Sequence, residues 1–195
     1  MQAEIRVTEL STPRLRLRQW RASDLEAFAA LSADPEVMQF MPGCLSRADS
    51  AALVPRYEAE IDRLGYGFWA TELRVSGEFI GFVGLHQPSF EAHFTPCVEI
   101  GWRLRRASWG KGFATEAARE CLRFGFETLG LTEVVSFTVP LNRRSRAVME
   151  RLGMRRAERD DFEHPLLPAG HPLRPHVLYR LQRGDWPAAA ARSTT

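Results

Sequence analysis

The segment RLRRASWGKGFATEA, Arg103 to Ala117, constrains this chain more than any other. A strand-like stretch, CVEIGWRLR, runs into a turn carrying Gly110 and Gly112, and helix-forming residues follow. Glycine accepts tight turns and lets a ligand approach the main chain closely. The first amides of a helix have no internal acceptors and carry the positive end of its dipole. The junction is therefore suited to an anion such as a phosphate or pyrophosphate. It is not a nucleotide P-loop, because Lys111 is followed by Gly112 and no glycine sits five residues before Gly110. The dinucleotide pattern GxGxxG fails as well, since Thr115 stands at its third glycine. On these residues alone, a turn that merely ends a strand is the plainer alternative.

The rest of the chain alternates strand-like and helix-like segments. Arg14 to Trp20 reads as a half-buried strand. Ser23 with Glu26 forms a capping box for a helix that ends before Pro35, and Val37 to Met41 reads as a short helical piece. Ser46 caps a helix to about Leu64, with a kink or break at Pro55 and a stop at Gly65. Phe68–Val75 and Phe79–Leu85 form a hairpin around Ser76-Gly77. After the junction, Ala114, Ala117, Ala118, Cys121, Leu122, Phe126 and Leu129 make the apolar stripe of one long helix. Val134–Val139 is a strand, Asn142 caps a helix from Arg143 to Leu152, and Met154–Glu158 and Val177–Gln182 are weaker strands. The expected class is α/β (α+β), one sheet with helices on its faces.

At 195 residues the chain has the length of one domain. Its 45% hydrophobic and 26% charged residues exclude wholesale disorder, collagen-like repeats and a membrane channel. A formal charge of +2 argues against a dedicated nucleic-acid coat. Cys44, Cys97 and Cys121 match no CxxC pair, and none of the five histidines lies in HExxH, so neither a disulfide framework nor a metal is expected. The start lacks a signal-peptide pattern, and no apolar stretch approaches the ~20 residues of a membrane span. A cytoplasmic protein is expected, with no membrane partner.

A second motif lies downstream: PLNRRSRAVMERLGM, Pro140 to Met154, puts a polar helix start after a strand's end. Together, WGKGFATEA and NRRSRAVMERLGM resemble the GNAT superfamily of acyl-CoA N-acyltransferases. Within it the chain is similar to the RimJ/RimL-type branch, from about Arg14 to Arg183 and in order. The resemblance implies a mixed, mostly antiparallel sheet with splayed central strands. It also implies a single N-acetyltransferase domain over residues 1–185, followed by a flexible tail, 186–195. The co-substrate it implies is acetyl-CoA. Its pyrophosphate would lie on the amides of Trp109, Gly110, Lys111, Gly112, Phe113 and Ala114. Trp102, Arg103 and Leu104 would pair their backbone with the pantetheine arm; Asn142 would hydrogen-bond that arm, and Ser145 would sit near the thioester sulfur. Arg105, Arg106 and Arg143 to Arg146 would meet the 3′-phosphate and adenine or form a solvated basic face. The first loop position of the family is Ala107 here, and Met149 stands where many members carry a tyrosine acid, which leaves Ser145 as the replacement.

An attacking amine must be neutral, so something must accept its proton. Glu99 shares a strand face with Cys97, Gly101 and Arg103 and is the candidate base, or else an ion-pair partner of Arg103. His86, His93 and His164 are further base candidates. The acceptor would be a small-molecule amine or a protein N-terminus. Trp69, Phe90, Glu91, His93, Asp160, Asp161 and Glu163 would suit a cationic amine. The competing readings are a non-catalytic acyl-CoA-binding module and, less favoured by the charge balance, a nucleic-acid binder. A monomer or homodimer is expected.

Overall fold

A computed structural model describes residues 8–186. They form two compact units, one of residues up to 86 with 101–121, the other of residues 87–100 with those from 122 on.

In the first unit, alternation in LRLR buries Leu15 and Leu17 completely. Its strands are β1 (Leu10–Ser11), β2 (Leu15–Arg18), β3 (Phe68–Leu73), β4 (Phe79–His86) and the Gly101–Leu104 stretch of β5 (Glu99–Leu104), neighbours in that order. Its helices are α1 (Leu25–Ala33), α2 (Arg47–Leu64) and most of α3 (Phe113–Arg123). Gly81 lets β5 approach β4: a Cβ there would lie 2.1 Å from the Arg103 carbonyl oxygen. Arg18 joins both carboxylates of a buried network, forking onto Asp24 at 2.7 and 2.8 Å and donating through Nε to Glu72. Burial alone would lower the Arg18 pKa, but its hydrogen bonds to Asp24 and Glu72 raise it.

The second unit orders its strands β5, β6 (Glu133–Thr138), β9 (Pro175–Gln182) and β7 (Arg155–Arg156), with β8 (Phe162–Glu163) also on β9 and helix α4 (Arg143–Arg151) following β6. The registers of both units are antiparallel except that of β5 with β6, which is parallel at one pair, Glu99↔Val135. The sheet is mixed and mostly antiparallel, as expected. Trp186, where the expected tail begins, is buried and donates its Nε1 to Glu127 at 3.0 Å; residues 187–195 lie outside the described residues.

Several expectations change in detail. Asp24, not Ser23, organises the first helical entry by accepting from the Arg21 amide at 2.8 Å. Val37 to Met41 forms turns rather than a helix. Helix α2 runs unbroken through Pro55, whose missing N–H removes one hydrogen bond while buried Val54 and Ile61 anchor the turns on either side. The stripe of α3 buries Ala117, Ala118, Cys121 and Leu122 as expected, but the last turn widens to a π segment, Phe124–Thr128, closed by Leu129 N–H onto the Phe124 carbonyl at 3.0 Å. Strands β1 and β8, two residues each, are too short to carry a periodic signal.

In the second unit, His164 and His176 face each other with ring centroids 5.0 Å apart, and both rings pack on Phe137 and Phe162. Burial pushes both histidines below their ordinary range, His164 further through the charge of His176. Both are therefore neutral in the fold and take up protons more readily unfolded. Their contribution is complete above about pH 6.5 and is lost as the pH falls through their folded values. Thermal melts from pH 7.5 to 5 should show Tm falling with acidity, and His164→Phe with His176→Phe should flatten that slope. An unchanged slope in the double variant would remove the pair from the acid sensitivity.

Candidate active site

The glycine junction lies in the first unit. Strand β5 ends at Leu104, whose carbonyl accepts from Trp109 Nε1 at 2.7 Å, and Ser108 closes a turn onto Arg105 at 2.9 Å. Gly110 and Gly112 then adopt φ of +73° and +79°, in the left-handed region. Gly110, Lys111 and Gly112 are exposed. The first hydrogen bond into the helix is Glu116 N–H to the Gly112 carbonyl at 3.0 Å. The amides of Phe113, Ala114 and Thr115 precede it, so they point out of the helix start.

A carboxylate in that first turn would repel an anion, yet Glu116 is spoken for. It accepts from Thr12 Oγ1 at 2.5 Å, from the Arg14 amide at 3.0 Å and from Arg14 Nε at 2.6 Å. Burial alone would raise its pKa; the hydrogen bonds from Thr12 and Arg14 hold it below the usual carboxylate range. Arg14 also lies 4.6 Å over the Phe113 ring. The junction therefore presents its amides, with its own acid neutralised by Arg14. Glu116 stands in the motif, but Thr12 is separated from it by 104 residues, so no local pattern marks the pair. Arg105 and Arg106, candidates for a phosphate, are engaged on the surface with Glu78 and Glu36.

In the second unit, Asn142 caps α4 as expected, its Oδ1 accepting from the Ser145 amide at 3.2 Å and its Nδ2 donating to Thr138 Oγ1 at 3.0 Å. The cap thus ties Asn142 and Ser145 together at the helix start, with both half-buried. Met149 is fully buried, a core residue and no proton donor. Glu99 is half-buried opposite Val135. Cys97, nearby on the same chain, has its thiol pushed up to about 11 by burial and by Glu99 and Glu133, so it is no thiolate nucleophile at neutral pH.

Arg103 makes no ion pair among the described residues. Of the histidines, His86 is held by both oxygens of Glu60 at 2.8 Å and stacks on Phe68 at 5.0 Å, an oriented carboxylate–imidazole pair that sequence reading missed because Glu60 lies 26 residues away. His93 is exposed beside Phe94. Of the four acids expected to greet a cationic amine, Glu91 is exposed and three are paired: Asp160 with Arg180 at 2.9 Å, Asp161 with Arg156, and Glu163 with Arg174 at 2.8 Å. Trp69 belongs to the core, with no exposure. Among the described residues no group of three or more His, Cys, Asp or Glu could hold a metal, and no helix is long and apolar enough to cross a membrane.

The family pattern described as an acetyltransferase (GNAT) domain matches residues 14–155. The chain belongs to the GNAT acetyltransferase family. It is 33% identical to the FsC-acetyl coenzyme A-N(2)-transacetylase of Aspergillus fumigatus, over 91% of this chain and 77% of that protein. An acetyltransferase of Agrobacterium tumefaciens superposes with a TM-score of 0.73 at 31% identity, covering 91% of this chain and 95% of that one. RimJ of Mycobacterium smegmatis, solved in complex with CoA-disulfide, shares the fold with a TM-score of 0.73 at 24% identity, covering 95% of this chain and 91% of that one. The matched span, residues 14–155, includes the glycine junction and the start of α4.

Proposed function

We propose that the chain is an acetyl-CoA-dependent N-acetyltransferase, a single catalytic domain over residues 1–185, that acetylates a primary amine of a small molecule or a protein N-terminus by direct attack. One observation carries the reading: a glycine turn whose following amides precede the first helical hydrogen bond, with the local acid Glu116 neutralised by Thr12 and Arg14. The printed activity of the Aspergillus relative, an N-transacetylase that uses an acetyl coenzyme A, supports the same chemistry.

Bound acetyl-CoA supplies an activated acetyl thioester. The amides from Trp109 to Ala114 would hold its diphosphate at a helix start, where anions are favoured. The main chain of Trp102 to Leu104 extends along the pantetheine arm, and Asn142 keeps one Nδ2 hydrogen for it beyond its bond to Thr138. Glu99 would accept the proton that leaves the amine, and the Ser145 hydroxyl would return a proton to the departing thiolate. Positioning supplies most of the rate, because effective molarity contributes about 7–11 kcal/mol against about 10²–10⁴-fold from one general base. Glu99→Gln should therefore lower kcat by about 100-fold at pH 7, with KM for acetyl-CoA little changed. A wild-type rate in that variant across the pH range would remove Glu99 from the mechanism.

The buried Met149, standing where a tyrosine acid is common, favours a second reading: a module that binds acyl-CoA without turning it over. Acetyl-CoA binding by calorimetry, followed by free-thiol release with a panel of amines and mass spectrometry of the products, separates the two. Binding without thiol release from any acceptor would establish the binding module; no binding at all would overturn both.

A further inference from the structure

Among the described residues of the first unit, Arg103 has a buried guanidinium nitrogen and no counter-ion. Arg103 turns toward the face of β4 that carries Phe82, its guanidinium carbon 5.3 Å from the ring centroid. Its Nη1 is closed off from solvent and has no hydrogen-bond partner, and the residue makes no ion pair among the described residues. The residue as a whole is half-buried. Burial pushes the guanidinium below the ordinary arginine range, with Tyr57 opposing.

Five acids of the same unit are committed elsewhere. Glu72 and Asp24 hold Arg18, Glu78 holds Arg105, Glu36 holds Arg106, and Glu60 holds His86. A cation–π contact offsets only part of what a guanidinium loses on leaving water, and buried cations are normally paired. A ligand's carboxylate can supply the missing anion. A guanidinium's planar fork matches a carboxylate bidentately.

The surroundings describe the body that carries it. Tyr57 and Phe68 are half-buried and meet at 5.7 Å, and both pack on Phe82, at 5.6 and 5.0 Å. Phe68 in turn stacks on His86. An aromatic floor beside a lone cation fits an apolar acid better than a phosphate, which would bring more charge and hydration than one guanidinium can replace.

We propose that Arg103 receives the carboxylate of the acyl acceptor, so that the substrate is a small primary amine which also carries a carboxylic acid and an apolar body. The assignment rests on the acetyltransferase reading for its reaction, though not for its anion. Arg103 contributes its main chain to the cofactor arm and its side chain to the acceptor.

The test begins with binding. Phenylacetate, an apolar carboxylate with no amine, should bind the full chain in calorimetry and bind Arg103→Met at least about tenfold more weakly. Calorimetry with CoA on both proteins shows whether the cofactor site survives. Phenylacetate should still bind when CoA is saturating; displacement by CoA alone would assign the anion to the donor and overturn the proposal. Free-thiol release from acetyl-CoA then compares phenylalanine, leucine and 4-aminobutyrate with their carboxamides. At least one acid should exceed its amide about tenfold or more in kcat/KM, through KM, and Arg103→Met should erase that preference. Amides that match every acid, or phenylacetate that binds neither protein or both equally, would overturn it. Should Arg103→Met fail to fold, the acid-to-amide ratio and the CoA competition on wild-type protein decide alone. Failure to bind CoA would sink the acetyltransferase reading while leaving the phenylacetate result to stand or fall separately.

Discussion

Gly112→Val should abolish CoA binding while the protein still folds. Gly112 holds φ at +79°, and a Cβ built there meets only Arg14 Nη2, at 3.4 Å, the movable end of a long side chain. The steric cost within the fold is therefore small, and the backbone cost of a side chain in the left-handed region is about 1–2 kcal/mol. That lowers Tm by several degrees, at about 2–4 °C per kcal/mol for a chain of this size. The ligand side is harsher. A β-branched residue pulls the turn out of its left-handed conformation and stands where a diphosphate would meet the amides. Losing two charge-assisted hydrogen bonds at about 1.5–3 kcal/mol each weakens affinity by more than about 100-fold. Calorimetric titration with CoA beside a thermal melt measures both effects. A folded variant with wild-type affinity would show that the loop does not hold the diphosphate.

Arg18→Met should bring the largest loss of stability. The side chains of Arg18, Asp24 and Glu72 are 3%, 3% and 7% exposed. Methionine removes the cation and leaves two carboxylates almost without solvent, with only Arg16 at 3.8 Å and Arg21 at 3.4 Å to face Glu72. Breaking a buried ion pair by deleting one partner costs about 3–5 kcal/mol, here a Tm drop of about 10 °C or more. Replacing all three residues together with apolar ones should recover much of the loss, because no buried charge then stands alone. Chemical denaturation of the single and triple variants checks this. A single variant within about 1 kcal/mol of wild type would mean that water or the neighbouring arginines replace Arg18.

Much of the local structure was legible beforehand. Ser46 and Asn142 cap their helices, Gly65 ends α2 at φ +77°, and the apolar stripe of α3 is buried. Each depends on residues within about four positions of one another. The glycine junction was legible for the same reason. The π segment at the end of α3 and the continuity of α2 through Pro55 were not, because packing chose between nearly equal local alternatives. Asp160, Asp161 and Glu163 read as open acids in sequence, yet each meets an arginine that its loop or a neighbouring strand brings to it.

From sequence alone came the family resemblance, the glycine turn and the succession of elements, since these are written in spacings of a few residues. The choice of partner for every charge belonged to the tertiary structure. Thr12 reaches Glu116, Arg18 reaches Glu72 across 54 residues, Glu60 orients His86, and Arg103 is left with none among the described residues. Strand order and register decide which side chains become neighbours, and those follow from long-range packing that no short window of residues contains.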